Sequence, residues 1–239
     1  MRRISCFFLL MVFVIISVSA QKTYVLLAGV SSYSNSEANL SNTTKDVKDI
    51  KKIFDNQGAI VSIVTSKFAN HDNIVEKLNA IVKLAKSDDK IMFFFSGHGT
   101  KGGFVTYELS IFSYQELVSI LSKAHTKQVF CFIDACNSGS VSAVSMGNSD
   151  WASEAKNITF VMGCRAEEYS FENNWVGHGF FTKALLKGLR GMSDANKDRK
   201  VTLIELFRYI YNDVTARTKQ QHPQLIGPGS AHQIVLAKW

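Results

Sequence analysis

Proline is nearly absent from this 239-residue chain, with 2 residues, and glycine is moderate at 15. With 46% hydrophobic and 20% charged residues, that scarcity excludes a collagen-like, low-complexity or disordered chain and leaves a globular one. Cysteine is sparse too, at 4 residues. A domain of this length buries about 70% of its unfolded surface without staples, so a disulfide framework is not required. Beyond the N-terminal run, no stretch is long and apolar enough to cross a bilayer. There is also no basic stripe interleaved with aromatics: Lys and Arg are scattered, with short runs such as residues 197–200. Nucleic acid is therefore not an expected partner.

What is present begins with a leader pattern. Arg2 and Arg3 precede an apolar run over residues 6–18, and Ser17-Val18-Ser19-Ala20 supplies small residues where signal peptidase requires them. The run is shorter than the ~20 residues needed to span hydrocarbon. Residues 1–20 are thus expected to be a signal peptide, and residues 21–239 an exported mature chain with no membrane attachment. Processing lowers the net charge from +7 to +5 by removing Arg2 and Arg3. It leaves Cys131, Cys136 and Cys164, an odd number, so at least one thiol stays outside any disulfide and is either buried and inert or reactive.

Apolar runs of strand length alternate with helical periodicity along the mature chain. Strands are read at 22–30, 59–65, 90–95, 128–133, 158–162 and, closing the chain, 233–237. Helices are read at 43–56, 71–85, 114–121, 179–189 and 203–215. Strands apolar on both faces, interleaved with amphipathic helices, imply an α/β sandwich: a mainly parallel sheet covered on both sides. No linker or repeat divides it. Residues 137–157 form the one long aperiodic segment, rich in Ser, Gly, Ala and Asn.

Ligands of open parallel sheets bind beyond the carboxyl ends of the strands. Two of these ends carry reactive side chains. Phe93-Phe94-Phe95 runs into Ser96-Gly97-His98-Gly99, and Phe130-Cys131-Phe132-Ile133 runs into Asp134-Ala135-Cys136-Asn137-Ser138-Gly139. An imidazole beside a thiol stabilises the thiolate or takes its proton at neutral pH, which makes Cys136 a candidate nucleophile and His98 its base. Gly97 and Gly99 are expected to leave room for a peptide backbone, and the Gly99 and Cys136 amides to hold an oxyanion. Mid-strand Cys131 is expected to be inert. Alternation along an extended segment puts Asp134 on the side of Cys136 and Ser96 on that of His98. A carboxylate there would attract a cationic side chain and repel an acidic one.

SGHG closing one strand and DACNSG closing another resemble the caspase-like cysteine peptidases, most closely metacaspases and bacterial caspase-family proteins, whose motifs read SGHG and DACHSG. Leu27-Ala28-Gly29-Val30 with Asp46-Val47 resembles that family's first strand and helix. Gly177-His178-Gly179-Phe180-Phe181-Thr182 with Leu186-Lys187-Gly188-Leu189 resembles its C-terminal half. Asn137 replaces the usual histidine after the nucleophile. The resemblance implies a caspase-like sandwich with a six-stranded sheet and a His98–Cys136 dyad cleaving peptide bonds of a protein or peptide substrate. It also implies a pocket of Thr43, Asp46, Ser96 and Asp134 selecting Arg or Lys before the scissile bond. Aspartate specificity is rejected, because no arginine lies between Arg3 and Cys136. A legumain- or clostripain-like specificity, or a silent interaction or calcium-binding domain, are the alternative readings.

No cofactor is required by this chemistry. Calcium is considered for one loop, where Asp194, Asn196, Asp198 and Glu205 stand at positions 1, 3, 5 and 12 of an EF-hand-like spacing. Arg199 occupies the turn position that favours glycine. The aspartate-rich calcium site of metacaspases is not evident: between His98 and Asp134 only Glu108 and Glu116 are acidic. Between Cys136 and Arg165 the single basic residue is Lys156, so an uncut, monomeric enzyme is expected.

Overall fold

In the computed structural model, residues 20–136, 155–168, 172–173 and 178–239 are described. Residues 1–19 of the expected leader, most of the aperiodic segment from Asn137 onward, and Gly177 lie outside them. The chain runs β1 (Thr23–Gly29), α1 (Thr43–Asn56), β2 (Ile60–Thr65), α2 (His71–Leu84) and β3 (Lys90–Ser96). A small meander follows, β4 (Gly99–Thr100), β5 (Gly103–Val105) and β6 (Ile111–Ser113), then α3 (Tyr114–Leu121), β7 (Val129–Asp134) and β8 (Ile158–Met162). The remainder is β9 (Glu172–Asn173), β10 (His178–Gly179), α4 (Phe180–Lys187), β11 (Lys200–Thr202), α5 (Leu203–Thr218), β12 (Gln224–Ile226) and β13 (Val235–Lys238).

The main sheet has six strands in the order β12-β8-β7-β3-β1-β2, all parallel except β12, which runs antiparallel to β8. Period-2 alternation divides its side chains between two cores. Leu26, Phe93, Phe95, Cys131 and Ile133 face α2 and α3 through Ile74, Leu78, Leu117 and Val118. Val25, Leu27, Phe94, Phe130 and Phe132 face α1, α4 and α5 through Val47, Ile50, Leu185, Leu206 and Ile210. Each buried aliphatic or aromatic side chain contributes roughly 1.5–3 kcal/mol, which explains why β1, β3 and β7 are apolar throughout. Edge strand β2 leaves Ile60 and Ile63 exposed.

The fold and the mainly parallel sheet agree with the sequence reading, with one correction. The sixth strand is β12, whereas the closing strand β13 leaves the main sheet and pairs antiparallel with β11. Three residues between Pro223 and Gly227 are too short to show a hydrophobic period, so β12 is silent in the sequence. Strand order reverses at β1, whose neighbours are β2 and β3, and the carboxyl ends of β1, β3 and β7 converge there.

Candidate active site

Ser96 and Asp134 are register partners on β3 and β7, so His98 and Cys136, two residues further along each strand, leave the sheet side by side. A Cβ added to Gly99 would collide with the Cys136 carbonyl oxygen and with Ala135 Cβ. Only glycine permits this approach. Gly97 is equally confined: a Cβ there would lie 2.7 Å from Phe95 Cζ and 2.9 Å from the Tyr33 hydroxyl. The space at both glycines is thus filled by the protein itself and not kept for substrate, a correction to the sequence reading.

His98 is held from three directions. Its backbone N–H donates to Tyr33 Oη at 2.7 Å, the Tyr33 ring packs 5.0 Å from the imidazole, and Nε2 lies 2.8 Å from the Ala38 carbonyl. A carbonyl only accepts, so Nε2 carries the proton and Nδ1 is the basic nitrogen. The loop supplying Ala38 is itself tied down: the Asn35 side chain caps the turn Ser36–Ala38, and Asn39 Oδ1 accepts from the Tyr33 amide. Neither Tyr33 nor the Ala38 carbonyl was legible in the sequence, since a carbonyl belongs to every residue.

Cys136 is partly exposed, whereas Cys131 and Cys164 are buried. Burial pushes the Cys131 thiol far up, which makes it inert as expected. Cys164 Sγ lies 3.4 Å from the Ala135 carbonyl and braces the backbone next to Cys136.

Three of the four expected pocket residues, Asp46, Ser96 and Asp134, lie together at the strand ends. Ser96 Oγ donates to Asp46 Oδ2 at 2.9 Å. Thr43, at the first turn of α1, is fully buried, and its hydroxyl has no hydrogen-bond partner among the described residues. Asp134 Oδ2 accepts from the Thr182 amide at 3.1 Å and the Thr182 hydroxyl at 2.7 Å. Burial raises the Asp46 carboxyl to about 6, with Asp134 adding to the rise and hydrogen bonds from His178 and Ser96 opposing it. His178 was quoted in the sequence only as part of a motif. Here its Nδ1 lies 2.6 Å from Asp46 Oδ1.

The residues considered for calcium hold backbone amides of their own loop and helix. Asp194 accepts from the Asp198 and Arg199 amides, Asn196 from the Asp198 amide, and Asp198 from the Lys200 amide. Glu205 is held by Thr202 in a capping box at the start of α5. Among the described residues, no group of three or more His, Cys, Asp or Glu side chains could hold a metal ion. Arg199 does adopt the left-handed conformation, with φ 63°. Glu108 and Glu116 both contact His71. A cavity of about 240 Å³ lined by Thr23, Phe54, Lys90 and Lys238 lies at the opposite, amino-terminal ends of β1 and β3.

Among known proteins, the family model described as the caspase domain matches residues 22–229. No curated protein matches the chain. Among solved structures, a crystal structure of a protein from Geobacter sulfurreducens superposes with a TM-score of 0.66 at 17% identity, covering 89% of this chain and 97% of that one. At that identity the superposition speaks for the fold alone. The family match extends across nearly all of the described sheet and across both strand-end motifs, and on that ground the chain belongs to the caspase-domain family.

Proposed function

We propose that the protein is an exported cysteine endopeptidase of metacaspase-like type that hydrolyses peptide bonds after Arg or Lys. The observation that carries the reading is the pairing of Ser96 with Asp134 across β3 and β7, which delivers His98 and Cys136 to one edge of the sheet. His98 Nδ1 accepts the Cys136 proton, the thiolate attacks the scissile carbonyl, the imidazolium returns the proton to the leaving amine, and a water deprotonated by His98 then cleaves the thioester to release the acid and the Cys136 thiol. The amides of Gly99 and Cys136 hold the oxyanion. Gly99 is suited to this by its packing on the Cys136 backbone.

Two features support a basic side chain before the scissile bond. Asp46 and Asp134 lie close enough for the charge of one to raise the other's carboxyl. The buried Thr43 hydroxyl has no partner among the described residues, a cost of roughly 1–3 kcal/mol that a bound donor or acceptor would relieve. The family implies a protein substrate. Export rests on the leader pattern, with Ala20 as the last residue removed and the mature chain acting as a monomer.

Hydrolysis of fluorogenic peptides ending in Arg, Lys, Asn or Asp by the purified mature chain, with and without calcium, tests the reading. Arg and Lys peptides should be cleaved in both conditions. Cys136→Ala and His98→Ala should each lower the rate by at least about a hundredfold while leaving the circular dichroism spectrum unchanged. Preferential cleavage after Asn would favour the legumain-like alternative, and activity surviving in Cys136→Ala would overturn the dyad.

A further inference from the structure

Asp46 is covered on its outer side by one of the chain's own side chains. Lys45, His178 and Asp46 stand in line from surface to interior, with side-chain exposures falling from 54% through 12% to 1%. Both Asp46 oxygens are engaged. Oδ2 accepts from Ser96 on the inner side, and Oδ1 takes the His178 ring from the outer side. The far ring nitrogen, Nε2, lies 2.7 Å from Lys45 Nζ and 3.4 Å from Asp49 Oδ2. An ammonium only donates, so Nε2 accepts and Nδ1–H is the proton given to Asp46. A cation arriving from solvent meets the imidazole before it meets the carboxylate.

We propose that His178 is a specificity-determining residue, the resident occupant of the acidic pocket, whose ring holds Asp46 while the pocket is empty and swings off when a basic side chain enters. The inference rests on the reading of Asp46 and Asp134 as the substrate pocket. Two donors compete for one oxygen: the ring Nδ1–H and the guanidinium or ammonium of the substrate. The motion is a side-chain rotation, because the backbone beside it is fixed. A Cβ at the adjacent Gly179 would lie 2.7 Å from Asp134 Oδ2, and His178 itself pairs with Asn173 in the β9–β10 ladder. Only a donor strong enough to displace the ring gains Asp46. Charged side chains therefore bind, and neutral amides of similar length are refused.

The test titrates the mature chain carrying Cys136→Ala with benzamidine, a small aromatic amidinium, by calorimetry. KM for an Arg peptide is measured alongside in the chain with Cys136 intact. Adding His178→Ala should tighten benzamidine binding about tenfold and lower KM by a similar factor, with KM rather than kcat carrying the change. His178→Asn, whose amide can still donate to Asp46, should stay close to the parent. Histidine-labelled NMR of the chain with His178 intact gives a readout that needs no variant at this position. The Nδ1–H resonance of the ring should shift or vanish at saturating benzamidine. A resonance that persists unshifted at saturation, or binding that is equal or weaker in His178→Ala, overturns the inference alone. If benzamidine binds neither chain, the acidic-pocket reading falls and this inference falls with it.

Discussion

Burial and the nearby Asp134 raise the Asp46 carboxyl from 3.8 to about 6, and that shift sets activity and stability against each other. The folded state holds the Asp46 proton more tightly than the unfolded chain does. The contribution to stability is therefore greatest below about pH 4 and is lost as the pH rises through 6. The cost at neutral pH is about 3 kcal/mol. Asp46→Asn is accordingly expected to raise the melting temperature by several degrees at pH 7.5, with the gain shrinking toward pH 4, in calorimetric scans of both chains. The same variant should lose cleavage after Arg. In the parent enzyme, kcat/KM for Arg peptides should fall as the pH drops below 6 and Asp46 takes up its proton. A variant less stable than its parent at pH 7.5 would contradict the burial argument. At this scale the two strand-end motifs were legible in the sequence, and the structure sets them on neighbouring strands. The partners of Asp46 were not, since nothing in the spacing says that residue 178 reaches residue 46.

At the scale of elements, helix α4 starts at a residue with no side chain to cap it. Gly179 is its N-cap, and the capping acceptor comes instead from Asp134 at the end of β7, which takes both the amide and the hydroxyl of Thr182. The carboxylate proposed for the pocket therefore also fastens a helix to the sheet. Thr182→Ala should cost about 1 kcal/mol in denaturant unfolding and leave the specificity for Arg intact. Asp134→Asn, which keeps an acceptor for the Thr182 amide, should melt close to the parent yet lose most cleavage after Arg. Equal losses of folding and specificity in Asp134→Asn would mean that the two roles cannot be separated. Elements whose apolar period is long enough were read to within a few residues, as α1, α3 and β8 illustrate. The meander β4 to β6 and strand β12 were missed, being two or three residues long with no period to read.

For the whole molecule, the first residues after the expected leader are already tied into the fold: the Lys22 amide donates to Asp89 Oδ1 at 2.8 Å. Lys156 sits in the turn Ala155–Asn157, directly before β8, where the backbone is committed to the sheet. Intact-mass spectrometry of active protein should therefore find one species starting at Gln21, with no break between Cys136 and Cys164. Activity confined to a species cut after Lys156, and lost in Lys156→Gln, would contradict this. The overall architecture was legible because buried parallel strands announce themselves as apolar runs. The departure of β13 from the main sheet was not, since a strand's partner is set by tertiary packing and not by its own residues. The position of the two reactive residues has a further consequence, in time rather than in space. His98 and Cys136 are brought together only when β3 and β7 pair, and β3 also pairs with β1, whose residues lie far earlier in the chain. Such long-range parallel pairings form late and slowly. A chain still emerging holds the two groups apart, so the proposed peptidase would have no means of cutting itself until its own folding is all but finished.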